Sequence, residues 1–395
     1  MFRRGSFALS LLLLGACQWT SSPSTPASAD AGTAVVNAPT PAAPVPEPLP
    51  TCRSIGGSPL EAALGYLDAG RHPEALSCAA QASALEPDSA AAHAARGEAL
   101  AALQRMAEAQ VAYARALALD PGQPEALLGA AYLYAVQLPS SREYDELGAL
   151  YAERGLSQPS VSPELLPRFA LVAAMALNDL GQSDEALQRA SLVLAREPDN
   201  HEAAYEKALS LFELCRFAEA KAAFRRLVED PERGAHAHYH LGLLLEREGK
   251  LKQSQAHFEK ARALSPEDFP QPPTVSEAEF RAEVERAVAA LPEDMRQDLA
   301  GVPVRAEELP ASEDLLSGEP PLSPSILGIF RGPPLGEPCD GMETPCRSVA
   351  LYRLNLTRAV RTKAELREQI KVTLLHEVGH LRGEDDQELA ARGLE

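Results

Sequence analysis

Residues 237–266 read AHYHLGLLLEREGKLKQSQAHFEKARALSP, with Leu241, Gly242, Gly249, Phe258, Ala261 and Pro266 as landmarks. Two apolar helical segments flank a Gly, and a Pro stands where the second segment must stop. The same landmarks recur upstream. Ser254 lies 34 residues after Ala220, which lies 34 after Ala186; Gly181, Pro198, Cys215 and Leu227 keep the same register. Nearer the N-terminus, Gly70, Ala75, Ala82 and Pro87 are matched 34 residues on by Gln104, Ala109, Ala116 and Pro121. Between the two sets one unit is degenerate and lengthened, around Leu138 to Tyr151. One such hairpin cannot bury its own apolar face, whereas about six in succession share a core.

This period, with its small and aromatic positions, resembles the tetratricopeptide repeat. The resemblance implies a mainly α chain, with a solenoid of helix pairs over residues 57–269 and a concave groove that holds peptides or helices of partner proteins. A purely structural spacer is the alternative role for the array. His236 and His240 share a helix face within it. No carboxylate or Cys accompanies them at ligand spacing, so a solvated, exposed pair is expected, not a metal site.

Upstream of the repeats the chain is an address and a tether. Arg3 and Arg4 precede a short apolar run, Phe7 to Leu14, too brief to span a bilayer. Leu14-Gly15-Ala16-Cys17 then resembles the lipobox of bacterial lipoprotein signal peptides. That resemblance implies cleavage before Cys17, acyl chains on its thiol, and a mature protein anchored by lipid. Gln18 in place of Asp after the Cys favours the outer membrane over the inner, with the folded part facing periplasm or surface. Residues 18–56 follow as a Pro/Ala/Ser/Thr-rich tether, with eight prolines between Pro23 and Pro50. An exported chain favours disulfides, and Cys339 and Cys346 bound one short loop. Spacing leaves Cys52, Cys78 and Cys215 unassigned.

Downstream, Phe269-Pro270-Gln271-Pro272-Pro273 marks a boundary, and residues 270–395 read as a small α+β domain. A helix carries Phe280, Val284, Val288 and Leu291 on one face. A Pro-, Glu- and Ser-rich stretch, 306–325, reads as a mobile loop. Residues 326–335 and 348–356 are strand candidates flanking the Cys-bounded loop like a hairpin. Thr362 and Glu365 form a capping box that opens a helix running through Leu381, with Gly383 placed to end it.

That helix contains His376-Glu377-Val378-Gly379-His380. Four residues advance an α-helix by about 400°, so both imidazoles leave one side and can share a Zn²⁺. Glu377, about 100° round, faces the metal's open position. Two histidines leave zinc a protein ligand short. Glu384, Asp385 and Asp386 are all acidic candidates beyond Gly383. Residues 276–395 resemble the bacterial minimal-zincin family through the helix at 279–292, the Leu-Gly-Ile-Phe-x-Gly-x-Pro-Leu segment at 327–335 and the pattern His-Glu-x-x-His-x-x-Gly-x-x-Asp. The resemblance implies His376, His380 and Asp386 as zinc ligands and Glu377 as catalytic base. Arg382 departs from the family, where an apolar residue is usual, and the Cys-bounded loop is not a family feature. Tyr352 is a candidate oxyanion stabiliser.

The chain has 395 residues, with 56 acidic and 37 basic side chains and a formal charge of −19. Such a surface repels phosphate backbones, which argues against nucleic acid as a partner. Together these features point to a membrane-anchored zinc metallopeptidase whose repeats bind substrate or partner protein. The alternative is a scaffold lipoprotein with a structural or degenerate zincin domain. A cell-wall amidase is a third reading.

Overall fold

The computed structural model describes residues 50–52, 57–159, 161–339 and 345–394. The expected lipidation site Cys17 and most of the tether lie outside them. No helix among the described residues is long and apolar enough to cross a membrane. The chain folds as two units that part between Gly129 and Ala130.

In the first unit, α1 (Pro59–Asp68) pairs with α2 (His72–Leu85) and α3 (Ala90–Ala102) with α4 (Met106–Leu119). A disulfide joins Cys52 to Cys78. A third hairpin begins with α5 (Pro124–Tyr132), which runs on as a π-helical turn, Leu133–Gln137. In the second unit follow α6 (Arg142–Leu156), α7 (Leu166–Asp179), α8 (Ser183–Arg196), α9 (His201–Glu213), α10 (Phe217–Arg225), α11 (Gly234–Arg247) and α12 (Leu251–Leu264). The π turn and α6 occupy the lengthened repeat.

Backbone geometry explains the period. The turn inside a hairpin needs one left-handed residue, and this falls on Gly70, Gln104, Gly181, Cys215 and Gly249, with φ of 66°, 60°, 74°, 57° and 70°. Helices then approach through small residues. A Cβ on Gly242 would lie 2.6 Å from the Phe258 ring, so only Gly fits that crossing.

The histidines of α11 correct the sequence expectation. His236 and His240 are 8% and 4% exposed, not solvated. His240 stacks on Phe224 with ring centroids 4.6 Å apart, and His236 meets Phe269 edge-on at 5.0 Å. Burial pushes both pKa values down to about 4, so both are neutral core aromatics.

The C-terminal region comprises α13 (Glu277–Ala290), α14 (Glu293–Asp298), β1 (Val304–Glu307), α15 (Ser312–Leu315), β2 (Gly328–Arg331), β3 (Ser348–Tyr352), α16 (Arg353–Arg358), α17 (Lys363–Arg382) and α18 (Asp386–Ala391). The sheet order is β1-β3-β2. β1 lies parallel to β3 with Val304 opposite Val349, and β2 antiparallel with Gly328 opposite Leu351. β2 is shorter than the 326–335 expected, because Pro333 and Pro334 cannot donate to a ladder. Phe280 and Val284 of α13 pack with Val349 and Leu351 of β3 and with Leu366, Ile370, Leu374, Val378 and Leu381 of α17.

Residues 306–325 form elements and fixed contacts where an open loop is expected. Their start completes β1, α15 buries Leu315 fully, and the Leu322 N–H returns to the Leu315 carbonyl at 2.8 Å. The composition that reads as a loop is here an ordered strap, pinned against the last repeats. Arg247 of α11 donates to the Pro310 carbonyl at 3.0 Å, and Glu213 of α9 is hydrogen-bonded to Ser323.

Candidate metal centre

Helix α17 is built to hold its far end still. Thr362 and Glu365 close a capping box at its start. At its end Gly383 is left-handed, φ 93°, which turns the chain back beside the last turn. The apolar face buries Leu374, Val378 and Leu381 completely, so the helix cannot rotate without exposing them.

The turn after Gly383 brings three donor atoms together. The His376 and His380 Nε2 atoms lie 3.0 Å apart, and Asp386 Oδ1 is 3.6 Å from the first and 3.3 Å from the second. Their opposite ring nitrogens are occupied. His376 Nδ1 donates to the Leu394 carbonyl at 2.5 Å, and His380 Nδ1 to the Glu384 carbonyl at 3.0 Å. A carbonyl only accepts, so Nδ1 keeps the hydrogen in each neutral ring and Nε2 presents a lone pair.

Two lone pairs and a carboxylate therefore converge, with no donor among them. A cation satisfies all three at once. Donors held roughly 2.0–2.1 Å from a tetrahedral zinc lie about 3.3 Å apart, which the observed separations match. Two nitrogens, each ring braced from behind by a carbonyl, and one carboxylate oxygen form a donor set suited to that ion.

The other acidic residues of the turn are engaged elsewhere. Glu384 pairs with Arg392. Asp385 caps α18, accepting the Glu388 N–H at 2.9 Å. Only Asp386 faces the histidines.

Glu377 is 5% exposed and accepts the backbone N–H of Phe330 in β2. Burial pushes its pKa up to about 8; the Phe330 hydrogen bond lowers it and the charge of Asp386 adds to the rise. Gly328 makes room for this arrangement, since a Cβ there would lie 2.9 Å from Glu377 Oε1.

Three further placements bear on the sequence reading. Tyr352 is fully buried, with its hydroxyl 3.3 Å from Asp314 Oδ2 and 3.4 Å from Arg331, so it has a structural partner and no exposed face. Arg382 is bonded to Asp298 at 2.6 Å and Asp294 at 2.7 Å, tying α14 to the end of α17. Cys339 and Cys346 are disulfide-bonded, and Cys215 is free. Sequence reasoning missed the three backbone groups at Leu394, Glu384 and Phe330. A main-chain atom carries no residue signature, so only the fold reveals it.

The fold and site define a helical-repeat array joined to a small domain built around a His-Glu-x-x-His helix. Residues 299–394 match the zincin-like metallopeptidase family, and residues 60–124, 171–220 and 205–269 match the tetratricopeptide repeat. The chain thus carries tetratricopeptide repeats followed by a zincin-like metallopeptidase domain. No curated protein matches it. Among solved structures, it is similar to PilF of Pseudomonas aeruginosa at 19% identity, covering 57% of this chain and 96% of that one, with a TM-score of 0.44. PilW, a type IV pilus biogenesis factor, matches at 18% identity over 53% and 93% with a TM-score of 0.44. YrrB, described as a tetratricopeptide-repeat protein with an unusual peptide-binding site, matches at 19% over 48% and 93% with a TM-score of 0.40.

Proposed function

We propose that the chain is a lipid-anchored, zinc-dependent peptidase whose repeats bind a protein substrate or partner. One observation carries the catalytic part: acceptor atoms of His376, His380 and Asp386 converge, the two imidazoles backed by carbonyls, beside the buried side chain of Glu377. Zinc held there supplies a Lewis acid that polarises a scissile carbonyl and acidifies water. The Leu394 and Glu384 carbonyls fix the imidazole tautomers, so both rings offer Nε2. With zinc bound, its positive charge would oppose the burial that raises the Glu377 pKa and favour the ionised carboxylate. That carboxylate would then take a proton from water and pass it to the leaving amine. The Phe330 hydrogen bond holds the carboxylate in one orientation. The lipid anchor rests on Cys17 and the residues before it.

Metal analysis and peptide hydrolysis on four variants test this reading. Glu377→Gln retains stoichiometric zinc and loses at least ~10²-fold in hydrolysis, because an amide cannot serve as base. His380→Ala and Asp386→Ala lose zinc and activity together. Asp385→Ala loses a helix cap, about 1 kcal/mol, and keeps all three donors. Full activity in Glu377→Gln would falsify the catalytic assignment; zinc binding without hydrolysis in the intact chain supports the scaffold alternative instead. For the anchor, Cys17→Ser should abolish detergent partitioning of the expressed protein. Unchanged partitioning removes that part of the proposal.

A further inference from the structure

Nothing in the zincin pattern extends past Asp386, yet the structure places a second contribution to the site eight residues later. Helix α18 runs from Asp386 to Ala391, and Gly393, two residues past its end, is left-handed, φ 71°. There the Gly393 N–H bonds the Ala390 carbonyl at 2.9 Å and the Leu394 N–H bonds the Leu389 carbonyl at 3.1 Å. This turn reverses the chain and aims the Leu394 carbonyl at His376 Nδ1.

Three features hold α18 and the residues after it against the end of α17 and the turn beyond it. Leu389 is fully buried, and Gly379 is the residue that admits it, since a Cβ at 379 would collide with the Leu389 side chain. Leu394 is only 9% exposed. Arg392 pairs with Glu384 across the turn. One short element therefore delivers a donor at its start and a ring-orienting acceptor just past its end.

Resting on the zinc reading above, we infer that residues 386–394 are a clip in which Gly393 and Leu394 are positioning residues for the metal site. They act through His376. Without the Leu394 carbonyl the His376 ring is free to change tautomer and to rotate about its last side-chain bond. Ligand histidines that lose such a partner typically bind metal 10–100-fold more weakly.

The test uses the full chain, a variant lacking residues 393–395, Leu394→Asp and Leu394→Met. Zinc affinity is read by competition with a chromophoric chelator. The imidazole Nδ1–H resonances are read by NMR on zinc-free, ¹⁵N-histidine-labelled protein. The deletion and Leu394→Asp should weaken zinc 10–100-fold. They should also remove the protected His376 Nδ1–H signal while leaving that of His380, which points to Glu384. Leu394→Met, which keeps an apolar anchor, should restore both readouts to within about twofold. Loss of both histidine signals marks collapse of the whole turn and overturns a specific role for Leu394. Unchanged zinc affinity in the deletion overturns the clip and leaves the metal reading standing. If the intact chain takes up no zinc, the metal reading falls, and selective loss or persistence of the His376 signal decides the clip.

Discussion

At the scale of single residues, the site is legible where its geometry is local. His376, Glu377 and His380 sit on one helix, and helical spacing alone places them together. Asp386 needs only the turn at Gly383. Legibility stops where a contact crosses to another element. Gly328 stands 48 residues before His376, and its importance comes from a sheet that sequence spacing does not encode. A Cβ at Gly328 would lie 2.7 Å from Thr373 Cγ2 and 2.9 Å from Glu377 Oε1. Both side chains are buried, at 6% and 5% exposure, and neither has space to retreat. Gly328→Ala should push β2 off α17 and break the Phe330 bond to Glu377. We expect a stability loss of about 1–3 kcal/mol, as for other overpacked cores. Hydrolysis should fall by more than the lost folded fraction, with zinc affinity unchanged. Parallel loss of zinc would show instead that the whole helix had moved.

At the scale of elements, the repeat period was readable because each hairpin solves the same local problem. The left-handed turn residue recurs every 34 positions within each group, and Gly fills it at 70, 181 and 249. At Gln104 and Cys215 the same conformation is imposed on a residue with a Cβ, φ 60° and 57°. The left-handed conformation costs such residues roughly 1–2 kcal/mol, while Gly loses an extra 0.5–1 kcal/mol of backbone entropy on folding. Gln104→Gly should therefore stabilise the first unit by up to about 1 kcal/mol. Urea unfolding should show a higher midpoint with an unchanged slope. A destabilised Gln104→Gly would mean that the side chain makes a contact worth more than the backbone cost. By contrast, α11's histidines were misread from the sequence. Polarity at one helix face predicts exposure, but the hairpin turned that face onto Phe224 and Phe269, where a neutral imidazole packs as an aromatic.

At the scale of the molecule, the proline-rich break near Pro270 reads as a division between modules, yet the last repeat before it packs against the domain that follows. Arg358 of α16 pairs with Glu246 of α11, 112 positions away, and its guanidinium also lies 5.1 Å from the centre of the Phe258 ring in α12. The paired side chains are 12% and 11% exposed. Periodicity and composition record what a segment does with its neighbours in sequence, so a pair this distant leaves no trace in either. It has a large consequence, because a buried charge deprived of its partner costs about 3–5 kcal/mol. Glu246→Ala, a change within the repeats, should therefore destabilise the peptidase-like domain as well. Thermal unfolding followed separately by a probe at α12 and by a probe at β3 should show both signals shifting down together. Replacing both partners, Glu246→Leu with Arg358→Met, should recover most of the loss, since no buried charge then remains. If Glu246→Ala lowered the α12 transition and left β3 unmoved, the two regions would be independent, and the last repeats would fold without support from the domain that follows.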